Sequence, residues 1–412
     1  MSISSYMEKL LDGVEVEWKV LAELGELVRG NGLPKTDFTD TGVPAIHYGQ
    51  IYTHYGLSTE TTLSFVSPET AKKLKKVDTG DVVITNTSEN LDDVGKALVY
   101  LGEQQAVTGG HATIFKPSKL IIGKYFAYFT QTSTFFSAKR KLAKGTKVID
   151  VSATDMAKIQ IPIPCPDDPE KSLAIQAEIV RILDAFTAMT AELTAELNMR
   201  NKQYNYYRDQ LLSFDEGEVE WKTLEEVAHF ANGKGHEKDI SEDGKFIVVN
   251  SKFISTDGLV AKYSDSQICP LFKDDILLVM SDLPNGKALS KTFIVDEDER
   301  YTLNQRIGGI TVKDKSEILP KFLHYFLDRT PQLLKHNNGV DQTNLRKGQI
   351  LEVKVPILPL HKQEHIVSIL DKFDKLTKSL SEGLPHEIEL RQKQYEYYRD
   401  LLLSFPKSDE AA

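Results

Sequence analysis

Residues 200–214 read RNKQYNYYRDQLLSF, and residues 391–405 read RQKQYEYYRDLLLSF. Twelve of the fifteen positions are identical, which is far beyond what chance produces. A repeat of this kind is read before any other pattern, because it defines the architecture of a chain. The segment therefore predicts that the 412 residues contain two copies of one unit.

The likeness extends along most of each half. EVEWK at residues 15–19 recurs at residues 218–222, and IVRILD at residues 179–184 returns as IVSILD at residues 366–371. Between these motifs, short runs rich in Val, Ile and Thr are typical of strands. Each half is therefore predicted to hold a mixed α/β domain followed by a long helix.

The helical segments carry a seam of residues at alternating spacings of three and four, which is typical of a coiled coil. In the first copy the seam runs from Leu183 to Phe214, and in the second it starts at Leu370 and is interrupted at Gly383-Leu384-Pro385. Proline interrupts a helix because it lacks an N–H and clashes with the preceding turn. The predicted fold class is α+β: two mixed α/β domains joined by a pair of long antiparallel coiled-coil helices, with a pseudo-two-fold internal repeat.

The N-terminus resembles the end of a helical segment, because YMEKLL at residues 6–11 is similar to YRDQLL at residues 207–212. The order of elements is therefore circular. The predicted segments are an N-terminal helical piece (1–14), a first domain (15–164), a central helical spacer (165–214), a second domain (215–358), a C-terminal helical spacer (359–405) and a tail (406–412).

The net charge of −10 argues by itself against a nucleic-acid partner. Residues 15–150 hold 16 Lys and Arg against 15 Asp and Glu, and residues 218–358 hold 19 against 22, whereas residues 151–217 hold 6 against 11. The two domains can therefore present a basic face, while the acidic helices suit a protein partner.

Targeting and membrane signals are lacking in the sequence. No apolar run approaches the ~18 residues that a membrane helix needs, and the first residues show no signal pattern. Cys165 and Cys269 occupy non-equivalent positions, which is typical of reduced cytosolic thiols. These patterns predict a cytoplasmic protein without a membrane partner.

Motifs for catalysis are likewise lacking. There is no Asn/Asp-Pro-Pro-aromatic methyltransferase motif, and Gly30-x-Gly32 and Gly233-x-Gly235 have no third glycine for a dinucleotide loop. Histidines and cysteines show no zinc spacing. The sequence therefore predicts no catalytic residue and no metal site.

Loops of the two domains hold residue types that contact phosphates and base edges. The densest basic stretch is predicted to contact DNA and holds Lys139, Arg140, Lys141, Lys144 and Lys147. Its thinner counterpart in the second copy holds Lys335, His336 and Asn338.

Three residues off the helical seam also keep their identity in both copies. Tyr206, Arg208 and Asp209 return as Tyr397, Arg399 and Asp400. This likeness predicts that both copies dock the same partner.

The whole chain resembles the specificity (S) subunit of type I restriction–modification enzymes. The resemblance rests on two domains that alternate with two helical segments, and on the repeated Tyr-x-Tyr-Tyr-Arg-Asp-x-Leu-Leu-Ser-Phe. The tandem tetrapeptides Thr190–Leu193 and Thr194–Leu197 resemble the IC subgroup in particular. In the second copy the break at residues 383–385 replaces these tetrapeptides.

The resemblance implies a division of labour. Each domain would be a target-recognition domain that reads one half of an asymmetric, bipartite site in double-stranded DNA, and the helices would set the gap between the halves. Two modification (M) subunits would dock and methylate adenines, and two restriction (R) subunits would add cleavage. The chain itself would be a non-catalytic specificity subunit without a cofactor, because AdoMet, ATP and Mg would be bound by the partner subunits.

The resemblance also implies DNA contacts from several loops of each domain. In the first domain the candidates are Arg29, Asn31, Lys35, His47, Tyr48, Gln50, Ser88, Asn90, Lys96 and His111. In the second domain they are Lys234, His236, Lys238, Asn250, Ser251, Lys252, Ser281, Lys287, Asn304, Gln305 and Arg306.

Two other classes of protein stay open at this point. A coiled-coil adaptor that never reads DNA would show no sequence-dependent binding, even together with modification subunits. A stand-alone DNA-modifying enzyme would bind AdoMet or a metal by itself.

Overall fold

The computed structural model describes residue 10 and residues 13–215, 217, 219–236, 238–284, 286–379 and 382–405. The predicted helical piece at residues 1–14 therefore lies mostly, and the tail at residues 406–412 wholly, outside the described residues. The chain divides into two units: unit 1 comprises residues 1–192 and 389–412, and unit 2 comprises residues 193–388. This division differs from the six predicted segments, because it assigns each helical segment partly to one unit and partly to the other.

Unit 1 contains short strands and helices that precede one long helix. The strands are β1 (Val16–Val20), β2 (Gly25–Arg29), β3 (Phe38–Thr39), β4 (Val43–Ile46), β5 (Ser58–Thr59), β6 (Ser64–Val66), β7 (Lys75–Val77), β8 (Val82–Thr85), β9 (Thr87–Ser88), β10 (Ala97–Tyr100), β11 (Ala106–Thr108), β12 (Ala112–Pro117), β13 (Ile149–Asp150) and β14 (Gln160–Pro164). The helices are α1 (Leu21–Leu24), α2 (Tyr48–Thr53), α3 (Pro68–Lys73), α4 (Gly123–Phe129), α5 (Ser133–Leu142), α6 (Ala153–Met156) and the first part of α7 (Pro169–Leu211).

Unit 2 repeats this arrangement. Its strands are β15 (Glu220–Thr223), β16 (Ala228–Asn232), β17 (Phe246–Val249), β18 (Lys262–Ser264), β19 (Ile276–Val279), β20 (Ser281–Asp282), β21 (Thr292–Ile294), β22 (Tyr301–Leu303), β23 (Ile307–Val312), β24 (Thr343–Asn344) and β25 (Lys354–Ile357). Its helices are α8 (Leu224–Val227), α9 (Ser251–Ser255), α10 (Pro320–Leu327), α11 (Pro331–Leu334), α12 (Lys347–Leu351) and α13 (Leu360–Lys378), whereas α14 (Leu384–Leu403) belongs mainly to unit 1.

The sheets of the two units share one topology. The order β2-β12-β8-β10 in unit 1 returns as β16-β23-β19-β21 in unit 2. The pair β1-β14 returns as β15-β25, and β9-β13 returns as β20-β24. In both units a parallel pair, β4-β11 or β17-β22, belongs to a second sheet. The internal repeat that the sequence predicted is therefore confirmed at the level of strand order.

The core of each unit contains residues of the long helices. In unit 1, Leu183 of α7 and Leu402 of α14 join the cluster around Phe126 of α4. In unit 2, Tyr204 of α7 and Leu370 of α13 join the cluster around Phe322 of α10. Each such buried side chain contributes about 1.5–3 kcal/mol, so packing against the domains stabilises the helices.

The predicted helix seam is confirmed within each unit. In unit 1, Phe186 stacks on Tyr398 with ring centroids 5.2 Å apart. In unit 2, Tyr207 stacks on Phe373 at 5.7 Å, and the ammonium of Lys378 lies 5.0 Å from the ring of Tyr204. Tyr204 contacts Lys378, and Tyr207, which comes later in α7, contacts Phe373, which comes earlier in α13. These two helices are therefore antiparallel.

The second helical spacer is two helices rather than one long helix. Helix α13 ends at Lys378 and α14 begins at Leu384, which confirms the interruption predicted at residues 383–385. Pro385 stands at the start of α14, where the missing N–H costs nothing. By contrast α7 is continuous for 43 residues. Among the described residues, no helix combines the length and the apolar character needed to cross a membrane.

Candidate nucleic-acid interface

Three loops of unit 1 meet at one edge of a sheet. Strands β4 and β11 are parallel neighbours, and the ends of parallel neighbours meet at the same edge. The loops that follow them begin at His47 and Gly109. A third loop joins them because Asn31 pairs with Gly109 in an isolated bridge.

The same three loops meet in unit 2. Strands β17 and β22 are parallel, so the loops that begin at Asn250 and Asn304 adjoin, and Lys234 bridges to Asn304. A cavity of about 360 Å³ opens there, lined by Asn250, Ser251, Lys252, Val260, Lys262, Asn304, Gln305 and Arg306. Six of these eight residues were predicted as DNA contacts. We call this set of loops, in either unit, the three-loop surface.

Two repeated glycines allow the loops to approach each other. A Cβ added to Gly30 would lie 2.1 Å from the carbonyl oxygen of Gly109, and one added to Gly233 would lie 2.0 Å from the carbonyl oxygen of Asn304. No larger residue fits without moving backbone. The repeated glycines therefore serve a close backbone approach rather than a dinucleotide loop.

Aromatic and imidazole rings cluster on the three-loop surface of unit 1. The ring centroids of His47 and Tyr48 are 4.6 Å apart, and those of Tyr48 and His111 are 4.8 Å apart. The backbone N–H of Gly49 donates to Nδ1 of His47 at 3.2 Å, which requires that this nitrogen is unprotonated. Burial, then the charges of Lys35 and His111, lower the pKa of His47 from its usual value. His47 is therefore neutral at neutral pH and can donate only through Nε2.

The predicted contacts differ in exposure. Side chains that are exposed are Arg29, Asn31, Lys35, Asn90, Lys96, His111, Arg140, Lys141, Lys144, Lys147, Lys234, Lys238, Lys252, Lys287, Gln305, Arg306, Lys335, His336 and Asn338. Those of intermediate exposure are His47, Tyr48, Gln50, Asn250, Ser251 and Asn304. Those that are buried are Ser88, Lys139, His236 and Ser281.

Burial corrects the expectation that His236 and Lys139 lie on the surface. Nε2 of His236 is 2.9 Å from Oγ1 of Thr302, and its Nδ1 is 2.8 Å from the carbonyl oxygen of Lys234. The ammonium of Lys139 donates to the carbonyl oxygens of Val94 and Asp92 at 2.5 and 3.2 Å. Both side chains hold loops in place.

Other predicted contacts also shape loops. Asn90 donates to Asp93 at 2.8 Å, and Lys96 forms an ion pair with the same carboxylate at 2.8 Å. Lys144 forms an ion pair with Asp155 at 2.8 Å. Ser88 lies in β9, and Ser281 in β20 accepts a hydrogen bond from Gln342 at 2.9 Å.

Lys139→Met is expected to remove a rise in stability at alkaline pH. Burial lowers the pKa of Lys139 to about 8, against 10.5 for an ordinary lysine. Between these values the unfolded chain keeps a proton that the folded protein has lost, so the free energy of unfolding rises with pH. The rise is on the order of 1–3 kcal/mol. Denaturant unfolding of both proteins at pH 7.5, 9 and 10 measures it, and a difference between them that stays constant with pH would contradict the assignment.

The predicted docking residues have the same geometry in both copies. Tyr206 and Tyr397 are each 62% exposed. Beside them, Arg208 contacts Asp209 at 2.8 Å, and Arg399 contacts Asp400 at 2.7 Å. Each copy therefore presents an exposed tyrosine next to an Arg–Asp pair, and Tyr and Arg are enriched in protein interfaces.

Sequence reasoning missed two sets of hydrogen bonds that join a long helix to the preceding domain. Asp184 of α7 accepts hydrogen bonds from Lys124 and Tyr128 at 2.8 and 2.6 Å. In the other copy Asp371 of α13 accepts from Lys321 and Tyr325 at 2.6 and 2.7 Å. The signal was present, because both aspartates end the repeated motif at residues 179–184 and 366–371.

No cluster of three or more His, Cys, Asp or Glu side chains suited to a metal ion occurs among the described residues. The two three-loop surfaces and the repeated helices define a protein that contains two similar α/β domains, each followed in the chain by a helical segment.

Comparison with known proteins identifies the family. The model of the type I restriction modification DNA specificity domain matches residues 14–200 and again residues 216–390. The chain therefore belongs to the family of type I restriction–modification specificity subunits, as its resemblance implied.

Individual relatives agree along almost the whole chain. The chain is 38% identical to the type I restriction enzyme EcoR124I/EcoR124II specificity subunit of Escherichia coli, over 99% of each chain. It is 32% identical to the EcoprrI specificity subunit of Escherichia coli, over 93% of each. A type I restriction–modification S subunit from M. genitalium has a similar fold, with a TM-score of 0.55, 16% identity, and coverage of 96% of this chain and 98% of that one. These matches lend no support to the adaptor or to the stand-alone enzyme.

Proposed function

We propose that each three-loop surface reads one half of an asymmetric, bipartite site in double-stranded DNA. The observation that carries the proposal is the convergence of three loops in each unit, which brings cations and carboxamides from distant parts of the chain together. In unit 2 these include Lys234, Lys252, Asn304 and Arg306. Cations of this kind contact phosphates, while carboxamides and guanidinium groups read base edges.

The two surfaces would read different sequences. Unit 1 offers the ring cluster of His47, Tyr48 and His111, whereas unit 2 offers the carboxamides of Asn250 and Asn304 with Arg306. Hydrogen-bonding groups that differ in this way select different base pairs. An asymmetric site follows.

The helical segments would dock two modification subunits and set the gap between the half-sites. Support comes from the matched surfaces around Tyr206 and Tyr397, each with its Arg–Asp pair. Two restriction subunits would complete the complex. In this proposal the chain is non-catalytic and acts in the cytoplasm, and AdoMet, ATP and Mg are bound by the partner subunits.

Mapping the methylated adenines in host DNA by single-molecule sequencing tests the proposal. We expect methylation at one bipartite sequence with two unlike half-sites, and its loss when the gene for this chain is deleted. The modification subunits of the same host, expressed without this chain, serve as the control. Identical palindromic half-sites would contradict the asymmetry, and methylation that survives deletion of the gene would contradict the function.

A further inference from the structure

One side chain on the three-loop surface of unit 2, that of Asn304, has a buried polar atom without a hydrogen bond in the described structure. Asn304 is the first residue of the turn between β22 and β23. Its Oδ1 is buried and makes no hydrogen bond in the described structure. Asn250, which lines the same cavity, uses its Oδ1 to accept the N–H of Phe253 at 2.9 Å and so caps α9. The acceptor of Asn304 thus has no hydrogen-bond partner among the described residues, whereas that of Asn250 is occupied.

Two backbone hydrogen bonds position Asn304. Its N–H donates to the carbonyl oxygen of Val249 at 3.3 Å, and its own carbonyl oxygen accepts the N–H of Ile307 at 3.3 Å. Two residues further, Arg306 has a φ of +68°, a left-handed conformation that costs energy for a residue other than glycine. Strain of this kind persists where the surrounding structure enforces it, and here the turn from Asn304 to Ile307 does so.

The surroundings of Asn304 indicate what the ligand is. Exposed Lys252, Lys262 and Arg306 line the cavity, so it suits a polyanion. The buried oxygen needs a donor, and a DNA base with an exocyclic amino group supplies one. Unsatisfied buried acceptors are rare in folded proteins and call for a physical reason.

The hydrogen-bonding groups of the four bases indicate which base fits the carboxamide of Asn304. A carboxamide accepts from N6 of adenine through its oxygen and donates to N7 through its nitrogen. Guanine presents two acceptors in the major groove, and cytosine presents its amino group without an adjacent acceptor. We propose that Asn304 reads one adenine of the half-site recognised by unit 2. The proposal rests on the proposed DNA-reading function and names the base chemistry of one position in it.

At the position that corresponds to Asn304, unit 1 has no side chain. The residue that pairs with Asn31, as Asn304 pairs with Lys234, is Gly109. Gln50, on another loop of the unit 1 surface, also has a buried Oε1 without a hydrogen bond in the described structure. A change at Asn304 leaves Gln50 untouched, so the half-site read by unit 1 serves as an internal control for Asn304 variants.

Base analogues test the contact in the complex of the full chain with its modification subunits. Each adenine of the second half-site is replaced in turn by purine, which lacks the 6-amino group, or by 7-deazaadenine, which lacks N7. At one adenine, each analogue is expected to weaken binding by the wild-type complex roughly 10- to 100-fold. The readout is the dissociation constant at constant salt.

Two variants test whether Asn304 causes this weakening of binding. With Asn304→Ala, both analogues at that adenine should bind as well as the natural base. With Asn304→Asp, which keeps the shape and the acceptor but loses the donor, purine should still weaken binding, whereas 7-deazaadenine should not. Neither variant should change the response to analogues in the first half-site.

The possible outcomes distinguish a failure of the Asn304–adenine contact from a failure of the proposed DNA-reading function. If the variants keep the full wild-type response at every adenine of the second half-site, the contact is wrong although the DNA-reading function stands. Failure of both variants to assemble would overturn the contact as well, because Asn304 would then be a fold residue. A wild-type complex without sequence preference would overturn the proposed function itself.

Discussion

A third Thr-Ala-Glu-Leu inserted after Leu197 is expected to move the two half-sites apart and to leave both of their sequences unchanged. Four residues add ~6 Å to a helix, and one base-pair step is ~3.4 Å, so the gap should grow by one to two base pairs. Methylation of the original sites should fall by more than about 100-fold, because a misplacement of even ~1 Å can cost that much. Single-molecule sequencing of methylated DNA measures both effects.

The structure of α7 favours this result. Residues 187–203, all of which the structure describes, include no buried side chain, so the insertion disturbs little packing. The insertion also repeats the tandem tetrapeptides at residues 190–197. It turns the following residues by only ~40° about the helix axis, a stutter that local unwinding of the seam absorbs. Tyr204 and Tyr207 can therefore keep their contacts with Phe373.

A two-residue insertion at the same place provides the control. Ala-Glu adds ~3 Å but turns the following residues by roughly 200° about the helix axis at 3.6 residues per turn, which places the seam residues before and after the insertion on opposite faces of α7. This variant should lose assembly altogether. An unchanged gap in the four-residue variant, with full methylation of the original sites, would contradict the role of α7 in spacing.

Gly30→Ala and Gly233→Ala should each destabilise the unit that carries them and impair reading of its half-site. The new Cβ would meet the carbonyl oxygen of Gly109 at 2.1 Å or that of Asn304 at 2.0 Å, so backbone must move. Overpacking of this kind costs about 1–3 kcal/mol or more. Thermal unfolding measures the stability, and binding to DNA altered in one half-site at a time measures the reading.

Gly32→Ala is the matched control for the first of these changes. An added Cβ at this position has no atom within 4 Å, and a substitution that creates no contact changes the free energy of unfolding by less than about 0.5 kcal/mol. If Gly30→Ala and Gly32→Ala behaved alike, the close approach of the loops would not matter for either stability or recognition.

The architecture could be predicted from the sequence because its main features produce local sequence patterns. The near-identity of residues 200–214 and 391–405 revealed the duplication, and the spacing of three and four revealed the helix seam. Pro385 marked the break between α13 and α14. Each of these signals depends only on residue type and on distance along the chain.

The burial of individual side chains could not be predicted in this way, because it depends on distant neighbours. Lys139 belongs to a basic run, yet it is 4% exposed and bonds to the carbonyl oxygens of Asp92 and Val94. His236 has suitable chemistry for DNA, yet it is 1% exposed and contacts Thr302. No local pattern distinguishes these two side chains from exposed Lys141 or Lys238.

Amino-acid order was thus sufficient for the repeat, the helices and the family. Tertiary packing was needed to group the candidate binding residues, because the three-loop surface exists only where parallel strands far apart in the chain become neighbours. Ala45 pairs with Val107, and Val248 pairs with Thr302. Those pairings bring residues 47–50 to 109–111 and residues 250–252 to 304–306, and they leave the buried oxygen of Asn304 without a partner. Strand order is set by the whole core, so no short stretch of sequence contains it.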